Sequence, residues 1–378
     1  MINVNSRKKF LFIYLKTGGG HLAPAKSLTE YYTKHNYDID TVLVDGLEKG
    51  GRLAKSVIED GYRMLQSKSK WIYEYIYAIH KIKFVAHISA FVVSLFMIKH
   101  LAELVEKEQP DKIIILHFFA IKPVYKILKK NKLDIPVVTI VTDPYIAHPL
   151  WTLRKEQNFI LFSERLKRNF LKRGIDGNDI NVFPFVLGER FSKPATEDER
   201  LDFKNRLGFT QDKVLLILGG GDGIPGGVNI LRKLMRMELD FDVAIVCGKN
   251  KELYEEANEL KEEYGYKNLT VYGFVDFIYE LINIADVVVS KCGASTFMEI
   301  LISNKIPVVN NYLWEQEKGN VDFIIENKLG IYEPKVKRMR DKIKNLLKDD
   351  ELMNGYKQNI SDMNLRNGLN EVAEHLIT

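Results

Sequence analysis

Short apolar runs alternate with helix-patterned stretches along most of the chain, and this alternation restricts the possible folds more than any other feature. Phe10–Leu15, Ile39–Val44, Ile113–Leu116, Val137–Val141 and Asn158–Phe162 form a first series. Val214–Leu218, Val243–Val246, Leu269–Tyr272, Val287–Val289 and Ile306–Val309 form a second. Short continuous apolar runs suit strands buried on both faces, and the helix after each one supplies the cover. Repeated βα units of this kind build parallel sheets. The repeat stops once, at Phe183-Pro184-Phe185-Val186-Leu187-Gly188 and the charged stretch Glu197–Arg200, because proline and glycine interrupt regular structure. The expected fold is therefore α/β, with two doubly wound domains at 1–187 and 188–378. Met339, Ile343, Leu346 and Leu347 have helical spacing in the tail beyond Val336, and that tail is expected to pack back on the first domain.

A chain of 378 residues, 46% of them hydrophobic, is long enough for two independent cores. Its two cysteines, Cys247 and Cys292, exclude a disulfide framework and fit a reducing, cytoplasmic setting. The first apolar run is shorter than the core of a signal peptide and leads into glycines. Charge is unevenly divided: residues 1–187 hold 29 Lys and Arg against 18 Asp and Glu, whereas the remainder holds 26 against 32. A basic first half suits an anionic surface, either membrane or nucleic acid, although solvated basic faces are common.

One segment gives that charge a context. Tyr62, Trp71, Tyr73, Tyr75 and Tyr77 interleave with Arg63, Lys68, Lys70, Lys81 and Lys83, and Phe84–Ile98 is then apolar except for His87, Ser89 and Ser94. Fifteen helical residues cover only about 22 Å, too little for an ordinary membrane span. Such a segment can lie on a bilayer or simply cover the sheet.

Two glycine-rich turns are positioned for ligand chemistry. Thr17-Gly18-Gly19-Gly20-His21 follows the first strand, and Lys291-Cys292-Gly293-Ala294-Ser295-Thr296-Phe297-Met298-Glu299 follows the ninth. Without Cβ atoms, such turns let backbone N–H groups approach phosphate or sugar at a helix N-terminus. His21 can act as a base toward a hydroxyl, and the positive helix end favours its neutral form. The dinucleotide fingerprint is absent because Leu22 or Ala23 occupies its third glycine position, and there is no P-loop or nucleophile elbow. Asp38-Ile39-Asp40 reads as turn chemistry, not a metal motif.

Val141-Thr142-Asp143-Pro144-Tyr145 ends another strand, with His148 and Trp151 close behind. Asp143 can orient His21 or itself serve as base, while His148 and Trp151 can contact an acceptor. Glu299 has two compatible readings: the acid of a Thr296-Phe297-Met298-Glu299 capping box, or a ligand for a ribose diol. Trp314-Glu315-Gln316-Glu317-Lys318-Gly319-Asn320 concentrates amides and carboxylates suited to a sugar.

These motifs together resemble GT-B glycosyltransferases of family 28, the group containing monogalactosyldiacylglycerol synthases, processive diacylglycerol glucosyltransferases and the lipid II N-acetylglucosaminyltransferase. The resemblance covers nearly the whole chain. It implies a UDP-sugar site in the C-terminal domain, with Gly220 and Gly221 beside diphosphate and Phe274 and Val275 near uracil. Gly19, Gly20, Gly293, Ala294, Ser295 and Thr296 complete the donor-binding set. Glu299 would bind ribose, with Gln316, Glu317 and Asn320 around the sugar. The N-terminal domain would take a lipid acceptor and associate with an anionic cytoplasmic membrane face. Catalysis would be inverting and would require no metal or cofactor, with His21 and Asp143 as its reactive pair and the two domains closing around both substrates. Lys16, Pro24 and Trp314-Glu315 depart from the usual pattern of the diacylglycerol enzymes. The alternatives are N-acetylglucosaminyl transfer to a lipid-linked wall precursor, a UDP-sugar epimerase on the same fold, and a non-catalytic membrane- or nucleic-acid-binding protein. The last leaves the donor motif unexplained, so no nucleic-acid partner is expected.

Overall fold

Buried strands do form the centre of each half, in the order that the apolar runs suggest. A computed structural model describes residues 7–16, 19–50, 74–75, 78–236 and 240–378. The chain divides into two units: Met1–Glu189 with Trp314–Gln316 and Gly368–Thr378, and Arg190–Leu313 with Glu317–Asn367.

The first unit contains β1 (Lys8–Tyr14), α1 (Gly19–Lys34), β2 (Ile39–Asp45), α2 (Lys83–Glu108), β3 (Lys112–Ile115), α3 (Phe118–Asn131), β4 (Val137–Ile140), β5 (Asn158–Leu161), α4 (Glu164–Lys172) and β6 (Ile180–Val182). Its six strands are parallel in the order β2-β1-β3-β4-β5-β6. The direction of winding changes between β1 and β3, so the crevice for a ligand is expected beyond the carboxyl ends of these strands. Ile13 stands opposite Ile115, and Leu116 N donates to Ile13 O at 2.9 Å. The two following turns consequently emerge side by side.

Apolar side chains secure this arrangement. Ile13, Leu15, Ile113 and Ile115 share a core with Val93, Met97, Leu101 and Val105 from α2. α2 has 26 residues, extending well beyond the apolar run, and spans about 39 Å. By length and composition it is sufficient to cross a membrane, correcting the expectation of too short a segment. Here one of its faces contributes to the core of the unit. The basic-aromatic positions Tyr62, Arg63, Lys68, Lys70, Trp71, Tyr73 and Tyr77 lie outside the described residues.

The second unit contains α5 (Glu197–Leu207), β7 (Val214–Leu218), α6 (Gly227–Leu234), β8 (Asp242–Val246), α7 (Lys251–Glu263), β9 (Leu269–Tyr272), α8 (Ile278–Ile284), β10 (Val287–Lys291), α9 (Ala294–Ile302), β11 (Ile306–Asn311), most of α10 (Trp314–Glu326), β12 (Ile331–Tyr332), α11 (Val336–Lys348) and α12 (Asp350–Asp362). Its strand order is β12-β11-β10-β7-β8-β9, again all parallel, with the change of winding between β7 and β10. Leu218 opposite Ser290 brings their following glycine turns together.

The final helix, α13 (Leu369–Ile377), belongs to the first unit, whereas the tail between Val336 and Asn367 remains with the second. Leu369, Val372 and Leu376 are buried, and Tyr32 Oη donates to Ala373 O at 2.7 Å. Full burial of each large apolar side chain contributes ~1.5–3 kcal/mol, enough to favour docking over a free tail. Gly368 makes the return possible: a Cβ there would lie 2.0 Å from Pro184 O.

Candidate active site

His21 occupies the first turn of α1, directly after β1, and only 7% of the residue is exposed. Its Nδ1 is 2.9 Å from Leu116 O and 2.8 Å from Thr142 Oγ1. Because a carbonyl oxygen only accepts, this geometry assigns the proton to Nδ1 and the lone pair to Nε2. Burial lowers the imidazole pKa to about 4, with the Leu116 carbonyl opposing the shift. At neutral pH the group is thus an uncharged base. Gly19 and Gly20 open the same helix, and a Cβ on either would meet no protein atom within 4 Å.

Thr142 and Leu116, not Asp143, orient His21. Asp143 Oδ2 instead accepts from Trp151 Nε1 at 3.3 Å, and its Oδ1 accepts from Gln316 Nε2 at 2.6 Å. Both carboxylate oxygens are thus engaged by side chains of the same unit. Trp151, expected to contact an acceptor, is fully buried and packs edge-on against Phe118. Its indole belongs to the core and acts on the site through Asp143. His148 is likewise buried, where Nδ1 accepts from Leu150 N at 3.2 Å and the ring stacks on Phe118. Gln316, expected beside the sugar, is engaged with Asp143 in the first unit.

In the second unit, Gly219-Gly220-Gly221 follows β7 and Lys291-Cys292-Gly293 follows β10. Gly219 is sterically required, since a Cβ would come within 2.1 Å of the Gly223 backbone, whereas Gly221 faces open space. Lys291 extends between the turns: its Cε is 4.0 Å from the Cβ position on both Gly220 and Gly293. Among the described residues no carboxylate forms an ion pair with Lys291. A half-buried cation beside backbone amides at a change of winding suits a diphosphate.

The helix after this turn begins earlier than the capping-box reading requires. Gly293 is the N-cap of α9, so Ala294 begins the helix, Ser295 and Thr296 lie in its first turn, and Glu299 lies in its second. The expected capping box is therefore absent. Glu299 is half-buried, and its carboxyl group lacks a protein hydrogen-bond partner among the described residues. Desolvation raises its pKa to about 7. With the capping role removed, a ligand offering hydroxyl groups is the better explanation for this carboxylate.

Other expected donor residues separate into rim and support. Phe274 is 67% exposed in the turn after β9, with Lys249 Nζ 5.6 Å from its ring centre, and Val275 beside it is half-buried. Glu317 Oε2 accepts from Leu313 N at 2.6 Å, closing the start of α10. Asn320, expected on the sugar, is 1% exposed and donates through Nδ2 to Cys292 O at 2.8 Å. Through Nδ2 Asn320 thus braces the glycine turn, while its buried Oδ1 has no hydrogen-bond partner among the described residues.

Comparison with known proteins now supplies a family. Residues 21–186 match the model for monogalactosyldiacylglycerol (MGDG) synthase, and residues 215–376 match that for the glycosyltransferase family 28 C-terminal domain. The chain belongs to glycosyltransferase family 28. This transferase is 25% identical to a processive diacylglycerol β-glucosyltransferase of Bacillus subtilis over 99% of its own length and 96% of that protein. It is 26% identical to a probable chloroplastic monogalactosyldiacylglycerol synthase of Nicotiana tabacum, covering 88% of this chain and 63% of that one. Acinetobacter baumannii MurG has a TM-score of 0.61 at 14% identity, covering 98% of the transferase and 99% of that chain. Anabaena Alr3699/HepE in complex with UDP-glucose gives 0.60 at 11%, with 98% of each chain covered. The fold is GT-B.

Sequence reasoning assigned no role to Thr142 or Leu116 in holding His21, nor to Lys291 or His117. A strand-end lysine immediately before a glycine turn was the available signal for Lys291. Nothing comparable marked His117, whose contacts arise from strand order.

Proposed function

We propose that this transferase moves a hexose from a UDP-sugar to the free hydroxyl of diacylglycerol, with inversion at the anomeric carbon. The observation that carries this reading is the complementary chemistry at the two changes of winding: a neutral base in one unit, and glycine turns with Lys291 and an unpartnered Glu299 in the other. The names of the relatives give the acceptor class, and the UDP-glucose complex of a fold neighbour supports a nucleotide-sugar donor. His21 Nε2 takes the hydroxyl proton as that oxygen bonds to the anomeric carbon from the face opposite the nucleotide. The bond from the sugar to diphosphate breaks, and UDP leaves with its electron pair. Lys291, the Gly220 and Gly293 turns and the N-terminus of α9 offset the developing charge. Glu299 receives the ribose hydroxyls.

Purified protein incubated with diacylglycerol vesicles and UDP-glucose, UDP-galactose or UDP-N-acetylglucosamine is expected to form a hexosyl lipid, identified by mass spectrometry. UDP release without a lipid product would overturn the acceptor assignment. A product only from UDP-N-acetylglucosamine would overturn the hexose assignment, while epimerised UDP-sugar would identify the rival chemistry.

The acceptor reading also calls for contact with a bilayer, and α2 presents a suitable face. Phe84, Ile88, Phe91, Val92, Leu95 and Phe96 follow helical spacing and are 41–73% exposed. Lys122 and Lys126 approach the Phe91 ring to 4.9 and 6.0 Å. Lys81, by contrast, is paired with Glu315 at 2.5 Å, and the Lys83 side chain lies outside the described residues. Lys122 and Lys126 therefore supply basic groups beside this face among the described residues. Changing both to Gln is expected to weaken binding to anionic vesicles roughly tenfold or more at low salt, since each basic contact contributes about 1 kcal/mol. Phe91→Asp is expected to weaken vesicle binding in high salt as well. Unchanged sedimentation of both variants would exclude this face.

A further inference from the structure

We infer that His117 is a second acceptor-binding histidine, whose Nε2–H grips the ester carbonyl beside the hydroxyl delivered to His21. The inference rests on the acceptor reading above and adds a specificity determinant to it.

The sheet order brings these two histidines together: His21 follows β1, His117 follows β3, and β1 and β3 flank the change of winding in the first unit. Their ring centres are 4.5 Å apart. His117 is only 2% exposed and is the N-cap of α3, with Nδ1 accepting from Phe119 N at 3.2 Å. That bond uses the Nδ1 lone pair, so the proton of a neutral His117 resides on Nε2. Phe118 and Phe119 also pack against the ring, with centres 4.3 and 5.5 Å away. Nε2 has no protein hydrogen-bond partner among the described residues.

The two imidazoles therefore have opposite tautomers. His21 offers an acceptor at Nε2, whereas His117 offers a donor there. Burial and the neighbouring His21 and His148 lower the pKa of His117 well below the ordinary value, favouring this neutral form. A hydroxyl needs the first group and an adjoining carbonyl needs the second. Diacylglycerol supplies both within a short glycerol fragment, whereas a dialkylglycerol keeps the hydroxyl and lacks the carbonyl.

The test compares kcat/KM for 1,2-diacylglycerol and 1,2-dialkylglycerol of matched chain length in mixed micelles, using a UDP-hexose. The natural enzyme is expected to favour the diacyl substrate about tenfold, the usual scale for one well-placed hydrogen bond. His117→Asn retains a helix-capping oxygen and so separates a capping role from recognition. This variant is expected to lose about tenfold on the diacyl substrate, remain close to the natural enzyme on the dialkyl substrate, and unfold at nearly the same temperature. Retained discrimination in His117→Asn would make the histidine only a cap and overturn the inference, as would equal use of both lipids by the natural enzyme. Absence of product from both lipids would instead bring down the acceptor reading and this inference together.

Discussion

Replacing His21 with alanine is expected to reduce transfer by about a thousandfold, within the usual range for loss of a general base, while changing UDP-sugar affinity less than about twofold. The separation follows from position: His21 is held by Leu116 and Thr142 in the first unit, whereas Lys291 and Glu299 belong to the second. The measurements are kcat with saturating diacylglycerol and calorimetric binding of UDP-glucose. Equal losses in both would assign His21 to the donor instead. A pH profile provides a second constraint. With a folded pKa near 4, the base remains unprotonated through about pH 5, so this group should leave the natural enzyme's activity flat between pH 6 and 8. The stability effect has a definite sign: the unfolded histidine, near its ordinary value of 6.5, binds more protons than the folded one. Stability is therefore lost as pH falls from about 6.5 toward 4. His21→Ala should lose less melting temperature over that interval than the natural protein, even if its cavity lowers stability at pH 7.

The parallel sheets were legible because their central strands are buried on both faces and carry little polar alternation. Phe10–Leu15 and Val214–Leu218 are typical, and each yields its strand almost without revision. β6 and β12 escaped because three- and two-residue strands contain too few positions to establish a pattern. Partnerships around the site were harder to read. Thr142 is 121 positions from His21, and its hydrogen bond depends on β4 lying beyond β3 in the sheet. Local spacing was also misleading at Thr296: a capping box was chemically plausible, but the helix had already begun at Ala294. Trp151 and Asn320 show a related difficulty. Each has a polar group suited to a substrate, but each spends it bracing another part of the site, on Asp143 and Cys292 respectively.

Glu299→Gln is expected to weaken UDP-glucose binding by roughly 10–100-fold at pH 8, because hydrogen bonds to a charged group are stronger than their neutral counterparts. The substitution preserves size and removes only the ability to become a carboxylate. The natural carboxyl, raised to about 7 by burial, is mostly neutral at pH 6 and mostly ionised at pH 8. Ribose hydroxyls favour the ionised form, so the natural protein should bind UDP-glucose more tightly as pH rises through 7, and Glu299→Gln should lack that increase. UDP-glucose is preferable to UDP here because it has no terminal phosphate titrating in the same interval. Stability should change in the opposite direction from affinity. A carboxyl whose folded pKa exceeds its unfolded value favours the native state at low pH, and this advantage disappears as pH rises through the folded value. Removing the titration should therefore make the variant progressively more stable relative to the natural protein between pH 5 and 8. A melting temperature that falls at every pH, with nucleotide affinity unchanged, would make Glu299 a structural group. Reduced affinity together with a relative gain in stability would instead identify a carboxylate kept partly desolvated at a cost to the fold because its ligand requires the charge.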